Sequence, residues 1–470
     1  MLKTNKKERF INDLFAVSLL FSIFAVNMGQ TNQATLDFIR QHMQADVRQL
    51  ALQGCKNPEV DMTYALQQIA GRQTAAEKLP GWAAIDGIVY PPHLSMEQCS
   101  SEQTARYKAS IAGGGRLMVD LTGGFGVDCF TMSVRFEQAV YVERQPQLCA
   151  VSSENVKALG LKNVTVVCAD GADYLHQLEH ADLIFVDPAR RDEHGARTYG
   201  IADCTPNVLE LMEELVTKAR RVLLKLSPML DWRKAVADIE ATGGARVVRV
   251  HIVSVSNECK ELLLEVEGRE KATGRRVSGT EGNVMQMPVV CVNCLSDGTE
   301  ERFAFDASSS SNISLSSLLS PLSPSNISLS SLLSPLSPSN ISLSSLLFPL
   351  SSFLYEPNAS VMKAGCFDEI SRRFQMCQLE RNSHLFVSDR AVDGFPGRCF
   401  MIERVTSMNK RELKVALAGV THANIAVRNF PLTVADLRKR LKLKDGGEVY
   451  IFAATVEEKG HQLFICRKIG

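Results

Sequence analysis

The sequence predicts an α/β protein centred on a doubly wound parallel sheet, with a helical region before it and a smaller α/β unit after it. Three observations carry this. Between residues 115 and 268, short apolar runs rich in β-branched residues alternate with helical stretches. The first run leads straight into a glycine-rich turn, "DLTGGFGVD" at 120–128. Before residue 110 the apolar spacing is helical, and beyond 401 a second, compact alternation begins.

Composition narrows the choices. The chain has 470 residues, enough for two or three domains with proper cores. Hydrophobic residues make up 45%, an ordinary globular share. The formal net charge is zero, so any basic surface is local rather than global. The 13 cysteines are odd in number and scattered. That pattern argues for a reducing, cytoplasmic setting rather than a disulfide framework. Cys291 and Cys294 in "CVNC" form a close pair with no second pair and no nearby histidine cluster, so no metal is expected.

The elements follow in order. Residues 1–27 begin with a basic stretch and then "LFAVSLLFSIFAV", which imitates a signal peptide. The apolar core is too short to span a bilayer as a helix. Met28 opens "MGQTNQATLDFIRQHM", so the expectation is an over-extended start, with an export signal or a buried first helix as alternatives, and no membrane partner. Residues 28–110 read as helical: Leu36, Ile39, Met43, Val47 and Leu50 recur at three- and four-residue steps. Pro80 and Gly81 mark a break. A later helix covers "LSMEQCSSEQTARYKASI", with Ser101 or Thr104 available as a cap.

Residues 111–268 hold the sheet. The runs "RLMVDL", "QAVYVE", "NVTVVCAD", "ADLIFVD", "RVLLKLS", "ARVVRVHIVSV" and "KELLLEVEG" are apolar on both faces, as parallel strands covered by helices are. Within 307–353 the unit "SNISLSSLLSPLSP" starts at Ser311, recurs at Ser325 and returns altered at Ser339. Its prolines break both helix and strand, so it reads as a low-complexity insertion without chemistry of its own. Residues 401–470 carry 13 Lys plus Arg against 7 Asp plus Glu, a local basic excess.

The chemistry gathers where strands end. Asp120 closes the first run, and Gly123, Gly124 and Gly126 follow before the helical "DCFTMSVRF". Glycines there let a backbone approach a nucleotide-type ligand. A dinucleotide wants a third glycine where Cys129 stands, and Asp120 would repel a diphosphate. The same acid suits a cationic ligand with a free amino group, such as S-adenosylmethionine. Glu143 ends the next strand and can accept ribose hydroxyls, a spacing that suits NAD equally well. Asp170 ends the third and can accept from an adenine amine or cap the helix "GADYLHQL". Asp187 leaves the fourth strand into Pro188, which places its carboxylate toward the crevice beyond the strand ends. Arg190, Arg191 and Arg197 crowd the same edge and suit phosphate.

This order of motifs resembles the class I S-adenosylmethionine-dependent methyltransferases, whose sheet is Rossmann-like. The resemblance implies that Asp120, Gly124 and Gly126 form the first cofactor motif, with Glu143 on the ribose and Asp170 facing the adenine. It also implies that Asp187, Pro188 and Arg190 begin the substrate side. "DPAR" departs from the Asp-Pro-Pro-aromatic motif of amino-group methyltransferases: Ala189 replaces the second proline and Arg190 the stacking aromatic. It also resembles the motif of the 5-methyluridine RNA enzymes, but "LLKLSPMLDW" offers Ser227 and no nucleophilic cysteine. The whole layout is similar to a bacterial methyltransferase family with a C-terminal THUMP-like domain. The segments that carry this are "LSMEQCSSEQTARYKA", "DLTGGFGVD", "DPARR", "NECKELLLEV", "YEPNASVMKAG", "FPGR" and "NFPLTVADLRKRLKLKDGG".

The family layout implies a connecting, ferredoxin-like α/β region over 269–400, a THUMP-like domain over 401–470, and RNA as partner and substrate. In that last unit Thr433 caps a helix whose Leu437 and Leu441 face inward. Arg438, Lys439 and Lys442 then lie on an outer face able to meet phosphate. Three other readings stay open: an NAD-dependent oxidoreductase, a non-catalytic RNA-binding protein, and a small-molecule methyltransferase.

Overall fold

The computed structural model describes residues 31–189, 200–269, 287–307, 353–456 and 459–469. The expectations placed on residues 1–27, on Arg190, Arg191 and Arg197, and on nearly all of the 307–353 repeat lie outside the described residues. The chain divides into two compact units, Met1–Val255 with Lys260–Glu281, and Ser256–Cys259 with Gly282–Gly470.

The first unit opens with six helices: α1 (Gln33–His42), α2 (Val47–Gln53), α3 (Met62–Lys78), α4 (Pro80–Ala83), α5 (His93–Gln98) and α6 (Glu102–Ile111). Side-chain caps start most of them. Asn32, Asp46, Asp61 and Ser101 each accept a backbone N–H that the first turn leaves unpaired. Pro80 sits in the first turn of α4, where its missing N–H costs nothing, so the expected break separates α3 from α4. The helices are tied down by bracketing amides. Gln68 accepts from the Tyr90 N–H and donates to the Tyr90 carbonyl, both at 2.9 Å. Asn155 does the same for Val89 at 2.8 and 2.9 Å.

The sheet strands are β1 (Gly115–Asp120), β2 (Phe136–Glu143), β3 (Val164–Cys168), β4 (Ala181–Val186), β5 (Ala219–Leu226), β6 (Ala245–Val255) and β7 (Glu258–Gly268). Helices α7 (Val127–Ser133), α8 (Pro146–Ala158), α9 (Gly171–Gln177), α10 (Val208–Lys218) and α11 (Trp232–Glu240) fall between them. Strand order is β3-β2-β1-β4-β5-β7-β6. The first five pair in parallel. Their centres, such as Val119, Ile184 and Leu224, are fully buried. Each such side chain contributes about 1.5–3 kcal/mol by leaving water. One departure from the expected parallel sheet appears. β7 runs antiparallel to β5, because Ser256 and Asn257 take φ of 48° and 64°. That two-residue left-handed turn folds the chain straight back.

The order reverses direction at β1 and β4, so the chain leaves these neighbouring strands toward opposite sides. A crevice opens at their carboxyl ends, the place where open α/β sheets hold ligands.

The second unit contains the hairpin β8 (Pro288–Cys294) and β9 (Glu300–Asp306). It continues with β10 (Phe353–Pro357), α12 (Ala359–Ala364), α13 (Phe367–Phe374), β11 (Cys377–Gln378), β12 (Phe386–Ser388) and β13 (Gly397–Ser407). It ends with α14 (Lys410–Ala416), β14 (Asn424–Arg428), α15 (Val434–Leu441), β15 (Val449–Val456) and β16 (Gly460–Ile469). From β10 onward the strands form one sheet in the order β11-β12-β10-β13-β16-β15-β14. One core gathers Leu354, Phe400, Phe452 and Phe464. A second gathers Leu437, Ile451, Leu463 and Ile465. The boundary expected between residues 400 and 401 falls inside β13, whose pairing with β10 joins the two stretches into one sheet. No helix among the described residues is long and apolar enough to cross a membrane.

Candidate active site

A cavity of about 1040 Å³ lies at the carboxyl ends of the first unit's strands. Asp120, Gly124, Gly126, Glu143, Asp170, Asp187 and Pro188 all line it, so the described residues expected on the cofactor and acceptor sides meet in one place. Arg190 lies beyond the described residues.

The glycine turn is shaped by its own backbone. Gly126 takes φ of 84° at the start of α7, and a Cβ there would meet the Phe130 ring at 2.5 Å. Gly124 takes φ of 56°, and a Cβ there would find nothing closer than the Thr122 carbonyl at 3.8 Å. The turn therefore presents bare backbone where a ligand needs close approach. Glu143 pins it: one carboxylate oxygen accepts from the Gly124 N–H at 2.9 Å, the other from the Gln145 N–H at 2.8 Å. Each oxygen keeps a further lone pair for a hydroxyl donor. The Tyr141 hydroxyl donates to the Gly124 carbonyl at 2.5 Å.

Asp120 is 1% exposed and accepts from the Thr122 N–H at 2.9 Å. Burial, with Asp128 and Asp187 nearby, pushes its carboxyl up to about 8. Among the described residues no cation pairs with it, which is the environment a ligand ammonium would complete. Asp170 caps α9, with Oδ1 accepting from Ala172 at 2.8 Å and Asp173 at 3.4 Å. The cap and a ligand contact are compatible, since Oδ2 takes no part in the cap.

Beyond the cofactor motifs the structure adds an ionic network that the sequence reading missed. Lys225, at the end of β5, donates to Asp187 Oδ2 at 2.6 Å and lies 3.4 Å from Asp128 Oδ2. Lys108 of α6, fully buried, pairs with Asp128 at 3.1 Å and with Glu261 of β7. Ser100 donates to Asp128 at 2.7 Å and also reaches Glu261 at 3.2 Å. Burial opposes the charge of Asp128, yet Lys108 and Lys225 hold its carboxyl below the ordinary value. Burial also opposes the charge of Lys225, yet Asp187, Asp128 and Glu261 drive it well above the ordinary lysine value. Lys225 is therefore a fixed cation and no base. A signal was present in the sequence: Lys225 and Glu261 are charges inside apolar runs, "VLLKLS" and "KELLLEV". A charge there must be paired.

The basic face of α15 is smaller than expected. Thr433 caps the helix by accepting from the Asp436 N–H, and Leu437 is fully buried. Arg438 pairs with Asp445 and keeps only 27% of its side chain exposed, so it leaves the open face. Lys439 and Lys442 are exposed, as is Arg440, which the sequence reading passed over.

The fold is that of the class I S-adenosylmethionine-dependent methyltransferases. Comparison with known proteins agrees. A protein-L-isoaspartate(D-aspartate) O-methyltransferase model matches residues 112–192, a ferredoxin-like domain model 353–396, and a THUMP domain-like model 397–468. A provisionally named methyltransferase from Porphyromonas gingivalis W83 is 28% identical, with a TM-score of 0.74, over 93% of this chain and 98% of its own. A SAM-dependent methyltransferase from Agrobacterium tumefaciens is 17% identical over 35% of this chain and 60% of its own, with a TM-score of 0.27. A Streptococcus pneumoniae protein, provisionally a tRNA (m1A22) methyltransferase and solved with S-adenosyl-L-methionine, is 14% identical. That match covers 39% of this chain and 75% of its own, with a TM-score of 0.28. The last two likenesses are too slight to bear on function. No curated protein matches the chain. The methyltransferase carries a C-terminal THUMP-like domain.

Proposed function

We propose that this methyltransferase modifies RNA in the cytoplasm, with a base amine of transfer or ribosomal RNA as the acceptor. The observation that carries the reading is the joining, on one chain, of an acid-lined nucleoside-sized cavity with a THUMP-like domain. S-adenosylmethionine supplies a methyl group activated by a sulfonium cation. Asp120 accepts from the ligand's ammonium, and the bare backbone at Gly124 and Gly126 admits its amino-acid end. Glu143 accepts from the ribose hydroxyls and Asp170 from the adenine amine. The acid-rich lining opposes a pyrophosphate, which weighs against a dinucleotide.

On the acceptor side Asp187 orients the incoming amine and takes up its developing positive charge, with Pro188 fixing the turn and Arg190 following it. Most of the rate comes from alignment of acceptor, methyl carbon and leaving sulfur. Lys439 and Lys442, with Arg440 beside them, supply sequence-blind contact to phosphate.

The test is mass spectrometry of RNA nucleosides from a deletion strain, joined to transfer of labelled methyl from S-adenosylmethionine into that RNA by the purified protein. A methylated base missing in the deletion and restored in vitro supports the reading. The match over residues 112–192 makes a protein carboxyl group the rival acceptor. Label recovered in base-labile protein esters, with RNA unlabelled, would replace RNA by protein.

A further inference from the structure

Asp187 emerges from β4 with its backbone already committed. Its N–H donates to the Thr122 hydroxyl at 2.7 Å, and the Pro188 ring fixes the next turn. Its carboxylate meets the Lys225 ammonium at 2.6 Å, and both side chains line the cavity. Lys225 is held in turn by Asp128, which Lys108 and Ser100 hold, with Glu261 behind them. The ammonium thus has one exposed neighbour to aim, Asp187, with 36% of its side chain accessible.

We propose that Lys225 is a positioning residue for the acceptor side of the pocket: its ammonium aims the Asp187 carboxylate into the cavity. The inference rests on the role given to Asp187 above. The charged groups facing Asp187 among the described residues are Asp120 of β1, Asp128 of α7, Lys225 of β5 and Glu261 of β7, with Lys108 of α6 behind Asp128. Lys225 touches the carboxylate directly, and the other charges nearest to it among the described residues are anions. Burial pushes the Asp187 carboxyl up, and Lys225 opposes that push. Removing the ammonium leaves Asp187 facing anions among the described residues, so its carboxyl titrates higher and less of it is free to receive positive charge from an amine. Replacement by arginine keeps the cation and its reach to a carboxylate.

The test uses the full chain as wild type, Lys225→Met, Lys225→Arg and the neutral pair Lys225→Met with Asp187→Asn. The neutral pair guards against a variant that fails only because a buried carboxylate has lost its partner. The Asp187 carboxyl carbon is followed by NMR on 13C-aspartate protein, assigned by its absence in Asp187→Asn. It should titrate at least about one pH unit higher in Lys225→Met than in wild type, and near the wild-type position in Lys225→Arg. Titration curves that coincide in wild type and Lys225→Met would overturn the inference. Labelled methyl transfer to deletion-strain RNA gives the second readout. Lys225→Met should lose about tenfold or more in kcat at neutral pH, recover part of it at alkaline pH, and bind S-adenosylhomocysteine as wild type does. An unshifted pH profile contradicts the positioning role. If wild type labels no RNA at all, the RNA reading falls while the titration still decides the role of Lys225.

Discussion

Asp120 sets the clearest pH dependence in the molecule. Its carboxyl, pushed up to about 8, holds a proton at neutral pH when no cation is beside it. A ligand ammonium needs the carboxylate, so binding below that pH must release the proton. Affinity for S-adenosylhomocysteine should therefore rise with pH, by up to about tenfold per unit, and level off above about 8. Calorimetry between pH 6 and 9, in two buffers of different ionisation enthalpy, would read both the slope and the proton. A flat affinity would contradict it. The stability sign is opposite. Folded Asp120 keeps its proton up to about 8, while the unfolded chain loses it near the ordinary 3.8. This residue thus lowers stability as pH rises through that window, and Asp120→Asn should flatten the slope. Gly126 gives a second residue-scale prediction. Gly126→Ala forces a Cβ against Phe130 at φ of 84° and should lower stability by about 1–3 kcal/mol, read from the denaturant midpoint. An unchanged midpoint would show that the turn relaxes freely.

At the scale of elements, the strand-to-turn-to-helix pattern was legible because it is local. An apolar run, an acid and a glycine turn occupy consecutive residues, and β1 through β4 formed where those runs stood. The antiparallel course of β7 was not legible, since "VSNE" carries none of the glycine that usually marks a two-residue hairpin. The ionic network was hidden for a different reason. Ser100 and Glu261 stand 161 residues apart in the chain, and spacing says nothing at that range. Lys108 anchors α6 to α7 and β7 through this network. Lys108→Met leaves two buried carboxylates with weakened pairing and should destabilise by about 3–5 kcal/mol in urea unfolding. A loss under about 1 kcal/mol would show that water already reaches the network. On α15 the sequence supplied the cap and the buried Leu437 but could not see Asp445 taking Arg438 out of the open face. Lys439→Ala with Lys442→Ala should weaken RNA binding across sequences and reduce the salt slope by about 2, measured by filter binding over a salt series. An unchanged slope would mean RNA is held elsewhere.

At the scale of the whole molecule, one sheet edge gathers the acids and one bare turn admits a ligand, while a second unit brings a THUMP-like domain to the same chain. The strand-end acids could be read in order from the sequence, but their convergence on one cavity could not, because it depends on the reversal at β1 and β4. The most direct test is calorimetric titration of the full chain with S-adenosylhomocysteine at pH 8, beside Asp120→Asn and beside NADH. The account predicts binding at one ligand per chain, loss of that binding in a folded Asp120→Asn, and no heat with NADH. No binding at millimolar concentration, or binding of NADH to the same cavity, would contradict it.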